Sequence, residues 1–348
     1  MGSHETGVRG QDEMPLSALS AWAAANAPAV GAVCEVEKFP GGFSNLTYKI
    51  AADGGTFVVR RAPRGVGPGV AHDMAREYRI LQVLAARGVA APKPVALCED
   101  ASVVGAPFYI MERVQGVILR GAPDPVPAPE VMRGLSERFV QTLVSIHSIG
   151  PDDPAIAALG KGTGYVSRQV GGWTARWEKS RTEEVPAMEE LAVWIASNQP
   201  ADSGSCLVHN DFKYDNLVLS GSDLTQIVGV LDWEMATLGD PLLDVGTTLG
   251  YWVEASDHPA FRALGLGSTA LPGNYTRAEV WARYLALTGR EFVPAAWYRA
   301  FGMFKIAVIA QQIYARYVRG LTSDMRFSRL GQAVQLLGET ALREAARS

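Results

Sequence analysis

The chain lacks any long apolar run. Nothing in its 348 residues reaches the roughly 18 consecutive apolar positions expected of a membrane helix. The Ala-rich stretch from Leu16 to Val33 comes closest, but Asn26 and Pro28 interrupt it and Asp12 and Glu13 precede it. A secretory leader would want a basic lead-in. With Leu16, Leu19, Trp22 and Ala23 at helical spacing, the stretch reads as a short amphipathic helix. Met1-Gly2 with Thr6 fits an N-myristoylation pattern too short to carry weight. Cysteine is scarce. Cys34, Cys98 and Cys206 are far apart and odd in number, which excludes a disulfide framework and a cysteine metal spacing. Each reads as a small core residue in a reducing compartment. Basic excess is also missing, and a net charge of −4 argues against nucleic acid or an anionic membrane as the main partner. Internal repeats are not visible. With 48% apolar and 20% charged residues, and length enough for two lobes each with a core, the expectation is a cytoplasmic globular protein.

What is present is concentrated in one stretch, Leu207-Val208-His209-Asn210-Asp211-Phe212-Lys213-Tyr214-Asp215-Asn216-Leu217-Val218-Leu219. It reads His-x-Asp-x-x-x-x-Asn between apolar residues. A second apolar stretch follows and ends in Leu231-Asp232-Trp233-Glu234. Phosphoryl transfer from ATP needs these parts in this order: a carboxylate for the acceptor's proton, an amide oxygen for one metal, and a second carboxylate for the metals on the phosphates. The spacing matches a kinase catalytic loop, with Asp232 in the place of the metal-binding Asp. A turn between strands would also put Asp and Asn between apolar runs, and His209 with Asp211 could serve a hydrolytic metal site. A turn does not need that whole set at that spacing, and no further His or Cys completes a zinc-type set.

Upstream, Val33 to Glu37, Leu46 to Ile50 and Thr56 to Arg60 read as strands. Between the first two lies Phe39-Pro40-Gly41-Gly42-Phe43-Ser44-Asn45, a small-residue turn whose backbone N–H groups could reach anionic oxygens. In Phe57-Val58-Val59-Arg60, Val58 and Arg60 share a face. A kinase places a small apolar residue and a phosphate-binding Lys there; this chain offers Val58 and Arg60. Arginine also pairs bidentately with phosphate, but it is bulkier and cannot lose its proton. Arg61 competes for the role, and so does a plain solvated strand-end arginine; the alternation favours Arg60. Met74 to Arg87 reads as a helix, with Glu77 placed to pair with Arg60 in a kinase frame. Phe108 to Gly116 reads as a buried strand running into a linker. In that frame it is the hinge, whose backbone at Met111, Glu112 and Val114 would bond the adenine edge.

The remainder reads as mainly helical. Glu130 to His147, Arg277 to Thr288, Ala295 to Leu321 and Arg329 to Ala346 carry helical periodicity. His147 reads as a packing or capping residue. Asp240-Pro241 reads as an N-cap followed by the first helical position. Residues 150 to 200 are mixed, with Tyr165, Trp173, Trp177 and Trp194 among many charges. Such aromatics can line a recognition surface but more often anchor helix packing.

His209 to Asn216, Leu231 to Glu234 and Gly239-Asp240-Pro241-Leu242-Leu243-Asp244 together resemble the aminoglycoside phosphotransferase and choline kinase group of small-molecule kinases. Phe39 to Asn45, Val59 to Pro63 and Leu231 to Glu234 further resemble the branch associated with acyl-CoA dehydrogenases. The resemblance covers the chain from about Val33. It implies an α+β, two-lobe protein-kinase-like fold with a small β-rich N-lobe and a larger, mainly helical C-lobe. Residues 1–13 would be a flexible tail, 14–111 the nucleotide-binding lobe, 112–116 the hinge and 117–348 the catalytic lobe. It implies ATP and magnesium as cofactors and a hydroxyl-bearing small molecule as acceptor. Asp211 would take or orient the acceptor's proton, and Lys213 would face the transferring phosphoryl group. Asn216 and Asp232 would bind Mg2+. Gly41, Gly42, Ser44 and Asn45 would cover the phosphates. One departure is Asn210, where the group usually has Gly. The acidic residues between 150 and 200 are interleaved with basic ones, which leaves both a polycationic antibiotic and a hydroxylated acyl compound open as acceptor; the resemblance to the acyl-CoA dehydrogenase-associated branch implies the acyl compound. A nucleotide-binding pseudokinase is the alternative from another class, and its support is the Arg60 substitution.

Overall fold

The computed structural model describes residues 13–39, 45–64, 72–121 and 123–346. The chain divides into two compact units. One runs to Gly116 and adds Val228–Ala236; the other holds Val117–Ile227 and Thr237 onward.

The first unit is built on a five-stranded antiparallel sheet in the order β1-β2-β3-β5-β4. Its strands are β1 (Val33–Lys38), β2 (Leu46–Ala52), β3 (Gly55–Arg61), β4 (Pro94–Cys98) and β5 (Phe108–Glu112). One face packs against α1 (Leu16–Asn26), where Leu19, Ala23, Tyr48, Ile50, Phe57, Val59, Phe108 and Ile110 form a continuous core. Alternation along β3 sends Phe57 and Val59 into that core, which puts Val58 and Arg60 on the opposite face. Arg61 follows Phe57 and Val59 inward and is fully buried. It donates to the Val104 carbonyl and the Tyr48 hydroxyl, each at 3.1 Å. The helix α2 (Met74–Ala86) begins on Asp73, whose carboxylate accepts from the Arg76 N–H at 2.9 Å.

One expectation fails here. Cys34 is exposed, unlike the buried Cys98 and Cys206. It lies on the edge strand β1, where the register with β2 slips between Val33 and Glu35. Cys34 is the extra residue of that bulge, and a bulge on an edge strand turns its residue away from the core.

The second unit is mainly helical. Its longer helices are α3 (Pro129–His147), α4 (Tyr165–Ser180), α5 (Pro186–Ser197), α6 (Pro241–Tyr251), α7 (Arg277–Thr288), α8 (Ala296–Val318) and α9 (Leu330–Ala345). Short strands β6 (Cys206–Val208) and β8 (Thr237–Gly239) pair antiparallel, and β7 (Leu217–Leu219) carries the chain out of the catalytic-loop motif. Asp240 caps α6 by accepting from the Leu243 N–H at 2.9 Å, with Pro241 at the first helical position. The segment that reads as mixed, 150 to 200, contains the two helices α4 and α5. Val166, Val170, Trp173 and Trp177 make the buried stripe of α4, so both tryptophans anchor packing rather than line an open surface. The helices α6 and α8 meet through Gly246 and Gly302. A Cβ on Gly246 would collide with the Tyr298 carbonyl, and one on Gly302 with the Gly246 carbonyl. That close approach brings the middle of α8 against the loop from His209 to Asn216. Among the described residues, no helix is long and apolar enough to cross a membrane.

Candidate active site

In the second unit, His209 to Asn216 folds into a tight loop between β6 and β7. Asn210 takes φ +67°, in the left-handed region that glycine enters freely and Asn tolerates best among the rest. This accounts for an Asn at a position where glycine is usual. Asp244 of α6 fixes the turn. Its two carboxylate oxygens accept the backbone N–H groups of His209 at 2.8 Å and Asn210 at 2.7 Å. Burial would raise the Asp244 carboxyl, but His147 and His209 beside it hold it below the usual range. His147 bridges Asp244 Oδ2 at 3.0 Å and the Tyr284 hydroxyl at 2.7 Å, a buried packing role.

The loop then gathers three of the residues singled out from the sequence. Lys213 Nζ lies 3.0 Å from Asp211 Oδ1 and 2.9 Å from Oδ2. Asn216 donates through Nδ2 to the Asp211 carbonyl at 2.8 Å and to Asp211 Oδ2 at 2.9 Å. Asp211 also donates its N–H to His209 Nδ1 at 3.2 Å. The Lys213 ammonium lies over the Tyr251 ring, 4.4 Å from its centroid. Asp211 and Lys213 stay partly exposed, with 15% and 23% of their side chains open, so both remain reachable.

In the first unit, Arg60 sits at the centre of three carboxylates. It pairs with Glu77 of α2 at 3.3 Å and with Asp232 and Glu234, each at 2.7 Å. Burial raises the Glu77 carboxyl, opposed by Arg60 and by a hydrogen bond from Tyr109. Burial and the neighbouring Asp232 push Glu234 up to about 7, against the pull of Arg60. Asp232, like Asn210, is held at φ +67°. Asn45 donates to Glu234 Oε2 at 2.9 Å, and its Oδ1 meets His72 Nδ1 at 2.9 Å. Arg76 reaches the Glu234 carbonyl at 3.4 Å and also the Ala236 carbonyl. The alternation that favours Arg60 over Arg61 thus separates a mostly buried arginine from a fully buried one, with different partners. Neither is a solvated strand-end residue.

The adenine-side candidates lie together in the same unit. Val58 and Met111 are cross-strand partners and both are buried. Glu112 is exposed, 3.9 Å from Lys93. Val114 covers Gly229 so closely that a Cβ there would stand 2.9 Å from it. Gly41, Gly42 and Ser44 lie outside the described residues, as does the tail up to residue 12.

Two participants were not singled out from the sequence. Glu234 was quoted only as part of a motif. Lys305 of α8 is not among the sequence candidates, although it is only 2% exposed and donates to the Asn210 carbonyl at 2.6 Å. The signal was available: a lone lysine within Ala300-Phe301-Gly302-Met303-Phe304-Lys305-Ile306-Ala307-Val308 has apolar neighbours on every side. Lysine is almost never fully buried without a partner.

Comparison with known proteins shows the family. Residues 35–283 match the family described as "Phosphotransferase enzyme family". Acyl-CoA dehydrogenase family member 11 of Rattus norvegicus is 32% identical over 345 residues, covering 97% of this chain and 44% of that protein. The chain therefore spans less than half the length of the curated relatives it matches. A solved structure of a putative aminoglycoside phosphotransferase from Ralstonia eutropha superposes with a TM-score of 0.81 at 31% identity, covering 96% of this chain and 99% of that one. A thermostable mutant of aminoglycoside phosphotransferase APH(4)-Ia, solved with AMP-PNP and hygromycin B, is similar in fold alone. It is 16% identical with a TM-score of 0.61, covering 95% of this chain and 100% of that one. The fold is the two-lobe, protein-kinase-like α+β fold, and the curated relatives belong to the acyl-CoA dehydrogenase-associated branch.

Proposed function

The chain belongs to the phosphotransferase enzyme family, and from that premise we propose that it transfers the γ-phosphoryl group of ATP to a hydroxyl of a small molecule. The observation that carries this reading is the packing of Asp211, Lys213 and Asn216 into one partly exposed cluster. A hydroxyl placed at Asp211 gives up its proton to that carboxylate as its oxygen takes the phosphoryl group and ADP leaves. Lys213, already ion-paired with Asp211, supplies positive charge beside the transferring group. The Nδ2 end of Asn216 is used by Asp211, which leaves the carbonyl end of the amide for a cation. Asp232 adds a carboxylate that is 36% exposed. An amide oxygen and a carboxylate are donors that suit Mg2+, so Asn216 and Asp232 are the residues that would hold it. When bound, the ion neutralises charge on the β- and γ-phosphate oxygens. Arg60 is the phosphate-binding cation in this reading, and Glu77 holds it in place. Asn45 takes part in covering the phosphates through its link to Glu234. Val58 and Met111 line the adenine, whose edge bonds the backbone from Met111 to Val114; the hinge spans 112–116.

For the acceptor we favour a hydroxylated acyl compound. Its support is the kinship with acyl-CoA dehydrogenase family members. A polycationic antibiotic would need carboxylates gathered at Asp211. Three carboxylates of the 150–200 segment, Glu183, Glu184 and Glu190, meet Glu339 around a cavity between the start of α5 and α9, which no catalytic-loop residue lines. The test is ATP turnover against a panel of hydroxyacyl thioesters, hydroxy acids and kanamycin-type aminoglycosides, with Asp211→Asn as control. Turnover should appear with a hydroxyacyl compound and fall about 10²- to 10⁴-fold in Asp211→Asn, with nucleotide binding kept. Efficient phosphorylation of kanamycin would overturn the acceptor assignment, and wild-type turnover by Asp211→Asn would overturn the role of Asp211.

The Arg60 cluster supports one other reading. A cation bonded at 2.7 Å to both Asp232 and Glu234 suits a nucleotide-responsive pseudokinase that switches a partner protein. Magnesium-independent ATP binding with no turnover on any acceptor would favour it.

A further inference from the structure

The turn that presents Asp211 is gripped from both sides by buried charge. On one side Asp244 accepts the N–H groups of His209 and Asn210. On the other, Lys305 donates to the carbonyl of Asn210, the residue directly before Asp211. The ammonium also lies 3.5 Å from Asn210 Oδ1, and the Trp173 ring of α4 packs beneath it with its centroid 5.6 Å away. Tyr165 completes the shell by hydrogen bonding the Asn210 side chain. A lysine in the middle of a buried helix is costly, and a methionine of similar length would pack there without charge. The left-handed backbone of Asn210 is itself sparsely populated and persists only where its surroundings impose it.

We infer that Lys305 is a positioning residue: it fixes the Asn210–Asp211 peptide and so aims the Asp211 carboxylate, without touching the reacting atoms. This rests on the phosphotransferase reading for its effect on rate, but not for its effect on the loop. Two readouts separate these. Because the acceptor is unidentified, the first uses MgATP alone with water as acceptor. Lys305→Met should lower kcat on the order of 10- to 100-fold, the scale of a misplaced catalytic group, while KM for MgATP stays within about twofold. The second is amide hydrogen exchange, which needs no turnover. Peptides covering 207–216 should exchange about tenfold faster or more in Lys305→Met, while the core of α8 stays protected. Lys305→Gln keeps an N–H donor and should fall between the two, and it replaces Lys305→Met if that variant does not fold. A merely structural lysine would lower the melting temperature and leave both readouts of the folded protein unchanged; that result overturns the inference. If the wild type hydrolyses no MgATP and phosphorylates no acceptor, the phosphotransferase reading fails, and the exchange rates alone decide the role of Lys305.

Discussion

Replacing Arg60 by alanine removes a shared cation from three carboxylates. Glu77 suffers most, since its side chain is 3% exposed and keeps Tyr109 as a donor but loses its ion-pair partner. Removing one member of a buried pair costs about 3–5 kcal/mol, because the other charge stays buried without compensation. Asp232 and Glu234 are 36% and 14% exposed, so their lost pairs add little more, roughly 0–1 kcal/mol each. The expected loss for Arg60→Ala is therefore about 3–5 kcal/mol near neutral pH, read by urea unfolding. Arg60→Lys keeps the charge and should lose less, though a lysine cannot span the same forked contacts. The deficit has a definite pH dependence. Burial already raises Glu77, and without Arg60 it rises further above its unfolded value. A raised carboxylate carries its full penalty above its folded pKa, and that penalty shrinks as pH falls from there toward the unfolded value and is gone below it. The Arg60→Ala deficit should thus shrink as the solution is acidified. A loss under about 1 kcal/mol, or one that does not change with pH, would refute the idea that the cluster is held by buried charge. MgATP binding gives the functional arm: Arg60→Ala should bind more weakly than wild type and Arg60→Lys should lie between. Wild-type binding by both variants would remove Arg60 from the phosphate site.

Two further outcomes follow from the same chemistry. ATP affinity measured by calorimetry should depend on magnesium, and Asp232→Ala should abolish that dependence; equal binding with and without the metal in the wild type would move the case to the pseudokinase. Burial pushes Lys305 down to about 8, with Asp244 and Asp211 pulling the other way. Its unfolded value is about 10.4, so the unfolded chain binds more protons between the two, and stability rises with pH across that window. From pH 7.5 to about 9.5 the wild type should gain roughly 2 kcal/mol relative to Lys305→Met in denaturant unfolding, and a constant difference between the two proteins would contradict the buried, charged lysine.

Much of the site was legible because its spacing is set by backbone geometry. A strand of period two sends Arg60 and Arg61 to opposite faces, and the structure gives them separate partners. The His-x-Asp-x-x-x-x-Asn spacing closes one tight loop in which Asn216 reaches back to Asp211. The N-cap at Asp240 was readable for the same reason, since a cap is a local arrangement. What escaped depends on packing between distant segments. Helix α4 has its apolar stripe in plain view at Val166, Val170, Trp173 and Trp177, but Gly171, Gly172 and surrounding charges obscured it. Cys34 is exposed because of a bulge that no composition rule reports.

Lys305 marks the boundary of that legibility. From sequence alone a lysine in an apolar helix is an anomaly without a location. Gly246 and Gly302 remove the bulk that would keep α6 and α8 apart. Their approach places the ammonium on the carbonyl of Asn210, and Asp244 from α6 takes the N–H groups on the other side of the same turn. One helix pair therefore delivers both the anion and the cation that hold the loop. A larger residue at Gly302 would push α8 outward and withdraw the cation while leaving the Asp244 contacts on α6 in place. The Asn210 carbonyl would then lose its buried cation, while Asp244, Tyr165 and Asn216 kept their contacts with the loop. Within the catalytic unit, the glycines of the helix contact belong to the same device as the lysine, and the orientation of Asp211 depends on both.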